Sequence, residues 1–157
     1  MLSRRIAMNF LFAAACACVV AASGCHRTPA DQAIRDTIAR MQAAGDRQDV
    51  SGVMKPVADD FAGHGDDEVN LDRKQLQQFL VLLRMRNGGE VHAKPGPITV
   101  TVQGGDRATA DFQLLVTGGS GLLPDNGQME QVRTGWRLDG GDWKLISAEW
   151  KASGPGN

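Results

Sequence analysis

Two side chains in this sequence combine proton-transfer chemistry with suggestive surroundings. Pairing strands about Gly140-Gly141 sets Leu138 opposite Trp143, Trp136 opposite Leu145, Thr134 opposite Ser147 and Val132 opposite Glu149, all on one sheet face. That face is apolar near the turn and carries Thr134, Ser147 and Glu149 at its far end. Turned inward, it makes Glu149 an acid in an apolar-walled recess, where desolvation raises a carboxyl's pKa. A general base, or a carboxylate that orients a ligand, needs that setting. Thr134, Trp136, Ser147 and Glu149 are then the expected ligand contacts. The plainer reading is a sheet-edge carboxylate paired with Arg133 or Arg107. His64 is the second candidate, within Gly63-His64-Gly65-Asp66-Asp67-Glu68. Histidine beside carboxylates suits acid–base work or a hard metal, but the spacing fits neither an EF-hand loop nor a zinc motif. No metal and no cofactor are expected, and a solvated loop is the plainer reading. His92, near Lys94-Pro95-Gly96-Pro97, reads as a polar strand residue at an irregularity. Trp136 and Trp143 read as hairpin core before a stacking box.

The thiols point to an address. Arg4 and Arg5 precede an apolar run from Ile6 through Ala22 interrupted only by Asn9, and Ala22-Ser23-Gly24-Cys25 closes it. This is the layout of a cleaved export signal, shorter than the about 20 apolar residues of a membrane span. The tetrapeptide resembles the lipobox of bacterial lipoproteins, which implies cleavage before Cys25 and acylation of its sulfur. Two or three acyl chains hold a protein durably on a bilayer. Cys16 and Cys18 leave with the signal, so the mature chain has no disulfide and no free thiol for catalysis or metal binding. His26 takes the place where, in Gram-negative sorting, an aspartate favours the inner membrane. By analogy the expected location is the periplasmic face of the outer membrane.

Composition narrows the function classes. The formal charge is -1 and falls further once Arg4 and Arg5 are removed. No basic cluster marks a nucleic-acid footprint. Five phenylalanines, three tryptophans and no tyrosine leave few aromatic stacking platforms. The organisation expected is a signal peptide over 1–24, a lipidated tether over 25–30, one domain over 31–151 and a flexible tail over 152–157.

Helices come first in that domain. Thr28-Pro29-Ala30-Asp31 supplies a hydroxyl cap, a proline at the first helical position and an early acid. Ala33, Ile34, Ile38 and Met41 follow at helical spacing. Asp49 can cap a short second helix holding Val50, Val53, Met54 and Val57, which Pro56 kinks or ends. Asp72 and Gln75 form a capping box with Leu71 and Leu76 as its staple. Leu76, Phe79, Leu80 and Leu83 then line one face, up to a stop at Asn87-Gly88-Gly89. Beyond this the period becomes two. Ile98, Val100 and Val102 alternate with polar residues, as do Ala108, Ala110, Phe112, Leu114 and Val116. After a glycine-rich loop over 118–127, closing strands near 128–138 and 142–151 meet at Asp139-Gly140-Gly141.

Helices followed by an antiparallel meander predict an α+β fold with the helices on one sheet face. This order resembles the nuclear transport factor 2-like, cystatin-like cone. Val57-Ala58-Asp59-Asp60-Phe61 resembles the family's passage from second helix to first strand. Asn70 through Leu76 resembles the polar turn that opens its third helix, and Trp136 through Leu145 its terminal hairpin. The resemblance covers Thr28 to Lys151 and implies a strongly bent sheet enclosing a conical pocket. Family enzymes include steroid isomerases, which use a tyrosine hydroxyl at the oxyanion; this chain has no tyrosine. Alternation also points Asp111 away from the core, so no catalytic residue carries over. Family members often dimerise through the sheet, which makes a homodimer one expectation here.

Three functions are compatible with these residues. The first is an envelope-anchored, non-catalytic lipoprotein whose cone binds a small apolar ligand or whose sheet meets an envelope protein. The second is an isomerase, dehydratase or hydrolase with Glu149 or His64 as general base. The third is a structural subunit of an envelope complex.

Overall fold

The computed structural model describes residues 28–87, 91–118 and 127–153. The export segment, Cys25, Gly88-Gly89, most of the glycine-rich loop and the last four residues lie outside them. Helix α1, Ala30–Asp46, buries Ile34 and Ile38 and packs Ala33 and Met41 beside them, as its spacing predicts. Its start differs from the expectation. Pro29 occupies the cap position rather than the first helical one, and no side-chain bond caps the helix. Proline has no N–H to satisfy, and its own carbonyl takes the first helical bond, from Ala33 N at 2.9 Å.

Asp49 caps α2, Val50–Met54, by accepting from Gly52 N at 2.9 Å. Val57, expected on that helix, instead opens strand β1, Val57–His64. A 3-10 turn over Asp66–Glu68 and strand β2, Asn70–Asp72, lead into α3, Arg73–Asn87. The capping box forms in both directions. Gln75 N donates to Asp72 Oδ1 at 2.7 Å, and Asp72 N donates to Gln75 Oε1 at 2.8 Å. Leu76 and Leu80 pack against the core and Leu83 is half-buried, but Phe79 is 46% exposed. At 100° per residue the three leucines fill the inward arc and leave Phe79 at its margin.

The remaining strands are β3, His92–Pro95; β4, Thr99–Gln103; β5, Arg107–Thr117; β6, Gln128–Asp139; and β7, Asp142–Ala152. Their order is β2-β1-β7-β6-β5-β3, with β4 also on β5. β1 runs parallel to β7 and the other pairs are antiparallel, so the sheet is mixed rather than purely antiparallel. The α+β architecture with helices against a curled sheet stands. The irregularity at Lys94-Pro95-Gly96-Pro97 divides β3 from β4, and His92 is an exposed strand residue.

The core gathers Ile34, Ile38, Met54, Val57, Phe61, Trp136, Trp143 and Leu145 over Ala108 and Ala110. Ala108 stands in register with Trp136, and its small side chain leaves room for an indole that is 1% exposed. The closing hairpin turns through Gly140 (φ 59°) and Gly141 (φ 92°), two positive values that suit a tight turn matching strand twist. Leu138 pairs with Trp143 and Trp136 with Leu145, as predicted.

Past that point the register slips by one residue. Gly135 pairs with Ser147, Thr134 with Ala148, Arg133 with Glu149 and Val132 with Trp150. Ile146 is the extra residue of a bulge, and a bulge inverts the faces of everything beyond it. Ser147 and Glu149 therefore turn to the outer face, opposite Trp136.

Candidate functional site

A cavity of about 320 Å³ lies between the helices and the inner sheet face. Met41, Val50, Val53, Leu80 and Leu83 form its helical wall, and Phe112, Leu114, Val132, Trp136 and Leu145 its sheet wall. The volume is at the lower end of the range for small-molecule sites. Its polar atoms divide into two groups.

On the sheet wall, the Thr134 hydroxyl donates to Ala110 O at 3.1 Å and accepts from Trp136 Nε1 at 2.8 Å. Both of these polar groups are therefore satisfied within the protein, and the wall presents hydrocarbon and an indole. Gln42, Asp46, Gln48, Asp49 and Arg84 also line the cavity, from the end of α1, the turn into α2 and the last turns of α3. Asp46 lies 3.4 Å from His92 Nδ1, and Asp49 is engaged as the α2 cap.

Of the four expected ligand contacts, Thr134 and Trp136 line this cavity; Ser147 and Glu149 do not. Glu149 is exposed on the outer face in register with Arg133, the pairing of the plainer reading. The Glu149 recess inferred from regular alternation does not exist, because the Ile146 bulge turns the carboxylate outward. His64 is also misplaced by the sequence reading: it ends β1 instead of sitting in a loop. It is exposed, and its Nδ1 lies 2.6 Å from Asn70 Oδ1. Strand register nevertheless brings the two candidates together, since His64 aligns with Glu149 on the neighbouring parallel strand. The row continues from Asn70 through His64, Glu149, Arg133 and Asp111 to Thr99. Arg133 Nε donates to Asp111 Oδ1 at 2.6 Å, which raises the arginine's pKa, with the Glu149 charge adding a lesser push. Asp111 faces away from the core, as alternation predicts. A groove of about 590 Å³ runs along this face, lined by Asp111, Arg133, Glu149 and Lys151. Its opposed charges answer one another and give no single ligand chemistry a purchase. The inner cavity is the better-defined site.

One acid with the expected chemistry escaped the sequence reading. Glu130 stands on β6 in register with Leu114 and Ala152, two residues beyond Val132 on the same face. Its Oε2 is shut off from solvent and has no hydrogen-bond partner among the described residues. Burial pushes its pKa up from 4.5, and the nearby Asp66 charge adds to this. The signal was available: extending the inward series Trp136, Thr134, Val132 by one more step reaches Glu130. Among the described residues no group of three His, Cys, Asp or Glu side chains is placed to hold a metal ion.

No family model matches the chain, and no curated protein does. Solved structures do. A nuclear transport factor 2-like protein of unknown function from Pseudomonas putida is 23% identical with a TM-score of 0.67, covering 82% of this chain and 88% of that one. A cystatin-like-fold protein of unknown function from Nostoc punctiforme is 20% identical with a TM-score of 0.64, over 79% and 91% of the two chains. A ketosteroid isomerase-like protein from Erwinia carotovora atroseptica is 16% identical with a TM-score of 0.58, over 79% and 96%. Helices packed on a curled sheet, with these structural likenesses, give this chain the nuclear transport factor 2-like, cystatin-like fold.

Proposed function

We propose that the protein is an envelope lipoprotein, acylated on Cys25 and held at the periplasmic face of the outer membrane, whose cone binds a small apolar ligand without transforming it. The observation that carries the reading is the cavity of about 320 Å³. Among the described residues its only sheet-wall hydroxyl and indole N–H are bonded to each other or to backbone. The sheet wall therefore favours hydrocarbon, and the two carboxylates that line the cavity elsewhere, Asp46 and Asp49, face His92 and cap α2. Native mass spectrometry of the mature protein, released gently from its host's membranes, tests this. The expected result is a reproducible added mass that denaturation removes. Gly45 lines the cavity, and a Cβ placed there meets nothing nearer than Val53 Cγ2 at 4.0 Å. Gly45→Phe is expected to fill the space and abolish the added mass. A bare wild-type mass, with no uptake of an added apolar fluorophore, would refute ligand binding.

A catalytic reading as an isomerase, dehydratase or hydrolase rests on one observation, the unpartnered Glu130 oxygen on the inner sheet face, two residues beyond the cavity-lining Val132. A carboxyl with a raised pKa suits general acid–base work. In that reading Glu130 replaces Glu149 and His64, both of which face outward. Consumption of the co-purifying molecule by the wild type, lost in Glu130→Gln, would establish it.

A further inference from the structure

The cavity divides its chemistry between its two walls. On the sheet wall, among the described residues, the Thr134 hydroxyl and the Trp136 N–H are already bonded, so that side meets a ligand with hydrocarbon. The uncommitted polar side chains come from the helical side: Gln42 on α1, Gln48 in the turn to α2 and Arg84 on α3. Among the described residues the glutamine amides bonded within the protein are those of Gln32 and Gln75, while Gln42 and Gln48 stand half-buried on the cavity without such a bond. Gln48 also holds a left-handed backbone (φ 58°), just past the end of α1, where glycine is the usual occupant. The two acids beside these groups are engaged. Asp46 lies 3.4 Å from His92 Nδ1, and Asp49 accepts from Gly52 N at 2.9 Å.

Arg84 is the one lysine or arginine among the described lining residues, and it has no ion-pair partner among them. It lines the cavity yet is exposed, which puts it at the opening. An arginine so placed lays its methylene stem along apolar surface and keeps its guanidinium in water. Leu80, one turn earlier on the same face of α3, lines the cavity too. A ligand that rests hydrocarbon on the sheet wall and ends at this opening needs a polar head. An ionised carboxylate is costly to bury without partners, but at the opening water, amide donors and a guanidinium all serve it. Guanidinium also matches a carboxylate with two parallel hydrogen bonds. We infer that the ligand is an amphiphilic carboxylate, with its chain in the apolar cavity and its head at Arg84, assisted by the Gln42 and Gln48 amides. This rests on the reading of the cavity as an apolar-ligand site.

The test compares three probes that share one chain and differ in the head: decanoate, decanol and decylamine. The mature, acylated protein is held in phosphatidylcholine nanodiscs and freed of co-purifying ligand by exhaustive dialysis against empty nanodiscs. Each radiolabelled probe is then brought to equilibrium across a membrane, empty nanodiscs on the far side supplying the blank, at neutral pH. The expected result is saturable binding, with decanoate about tenfold tighter than decanol, the scale of a hydrogen bond to a charged group. Arg84→Met should remove most of that ratio, and Arg84→Lys, which keeps the charge, should retain part of it. Equal affinity for decanoate and decanol, or a ratio that survives Arg84→Met, overturns the carboxylate head and leaves the apolar-ligand reading standing. Preference for decylamine also overturns it, in favour of a cationic head at Asp46 or Asp49. No saturable binding of any probe overturns both readings.

Discussion

Replacing Thr134 by valine removes the only hydroxyl that the described residues place on the cavity's sheet wall, while nearly preserving its shape. Thr134 is 6% exposed and Trp136 1%, and the cavity they line is apolar, so water is a poor replacement for the lost partner. Two hydrogen bonds disappear, the one at 3.1 Å to Ala110 O and the one at 2.8 Å from Trp136 Nε1. A net bond contributes about 0.5–1.5 kcal/mol, and a buried donor left unsatisfied costs ~1–3 kcal/mol. We expect Thr134→Val to lower stability by about 2 kcal/mol, corresponding to a Tm lower by roughly 8 °C in a domain of this size. Thr134→Ser keeps the hydroxyl and loses one methyl, at about 0.8 kcal/mol. In a Trp136→Phe background there is no indole N–H to strand, so the same valine substitution should cost only about 1 kcal/mol. The assay is urea denaturation followed by far-ultraviolet circular dichroism for all four members of the cycle. The reasoning is refuted if Thr134→Val costs under ~0.5 kcal/mol, or if its cost is unchanged when Trp136 is phenylalanine.

Glu130→Gln should give a pH-dependent gain. Because the folded-state pKa of Glu130 is raised, its favourable contribution is complete below the ordinary value of 4.5 and is lost as pH rises through the folded value. The glutamine variant should therefore melt higher than the wild type at neutral pH, with the gap closing as pH falls towards 4.5; a gap that does not change with pH would count against the buried carboxylate. At Gly65 an added Cβ would lie 2.6 Å from Trp150 Cε2 and Nε1, although the backbone there (φ -109°) accepts any residue. Gly65→Ala should cost ~1–3 kcal/mol by overpacking, read as a lower Tm, and an unchanged Tm would show that Trp150 does not lie over this glycine.

Local chemistry was legible in the sequence where the physics is local. The α1 stripe, the Asp49 cap, the Asp72–Gln75 box and the Gly140-Gly141 turn each depend on contacts within a few residues, and each formed. The parallel union of β1 with β7 joins Val57 to Leu145 across most of the domain, and no nearby residue announces it. The bulge on β7 fell between these cases. Its trace is Gly135, a glycine inside a strand pattern, which marks a bulge or a close approach. A Cβ at that position would stand 2.4 Å from Ser147 Oγ, so the glycine admits the displaced serine. Regular alternation carried through Gly135 placed Glu149 inside, and the same unbroken alternation stopped at Val132, one step short of Glu130.

That single inserted residue also decides what kind of cavity the fold can hold. Without Ile146 as a bulge, regular alternation would set Glu149 against Val132 on the cavity wall and turn Trp150 outward. A carboxylate buried there without a partner would cost several kcal/mol or take up a proton. With the bulge, Val132 meets Trp150, whose indole lies over Gly63 and Gly65 at the end of β1, and the wall stays apolar. The displaced carboxylate joins the outer row of His64, Arg133 and Asp111, where water and opposite charge both serve it. Glu130, beyond Val132, is the acid that this sorting leaves on the inner face. It stands beyond the residues that line the cavity, so among the described residues no carboxylate of the sheet wall faces a ligand there.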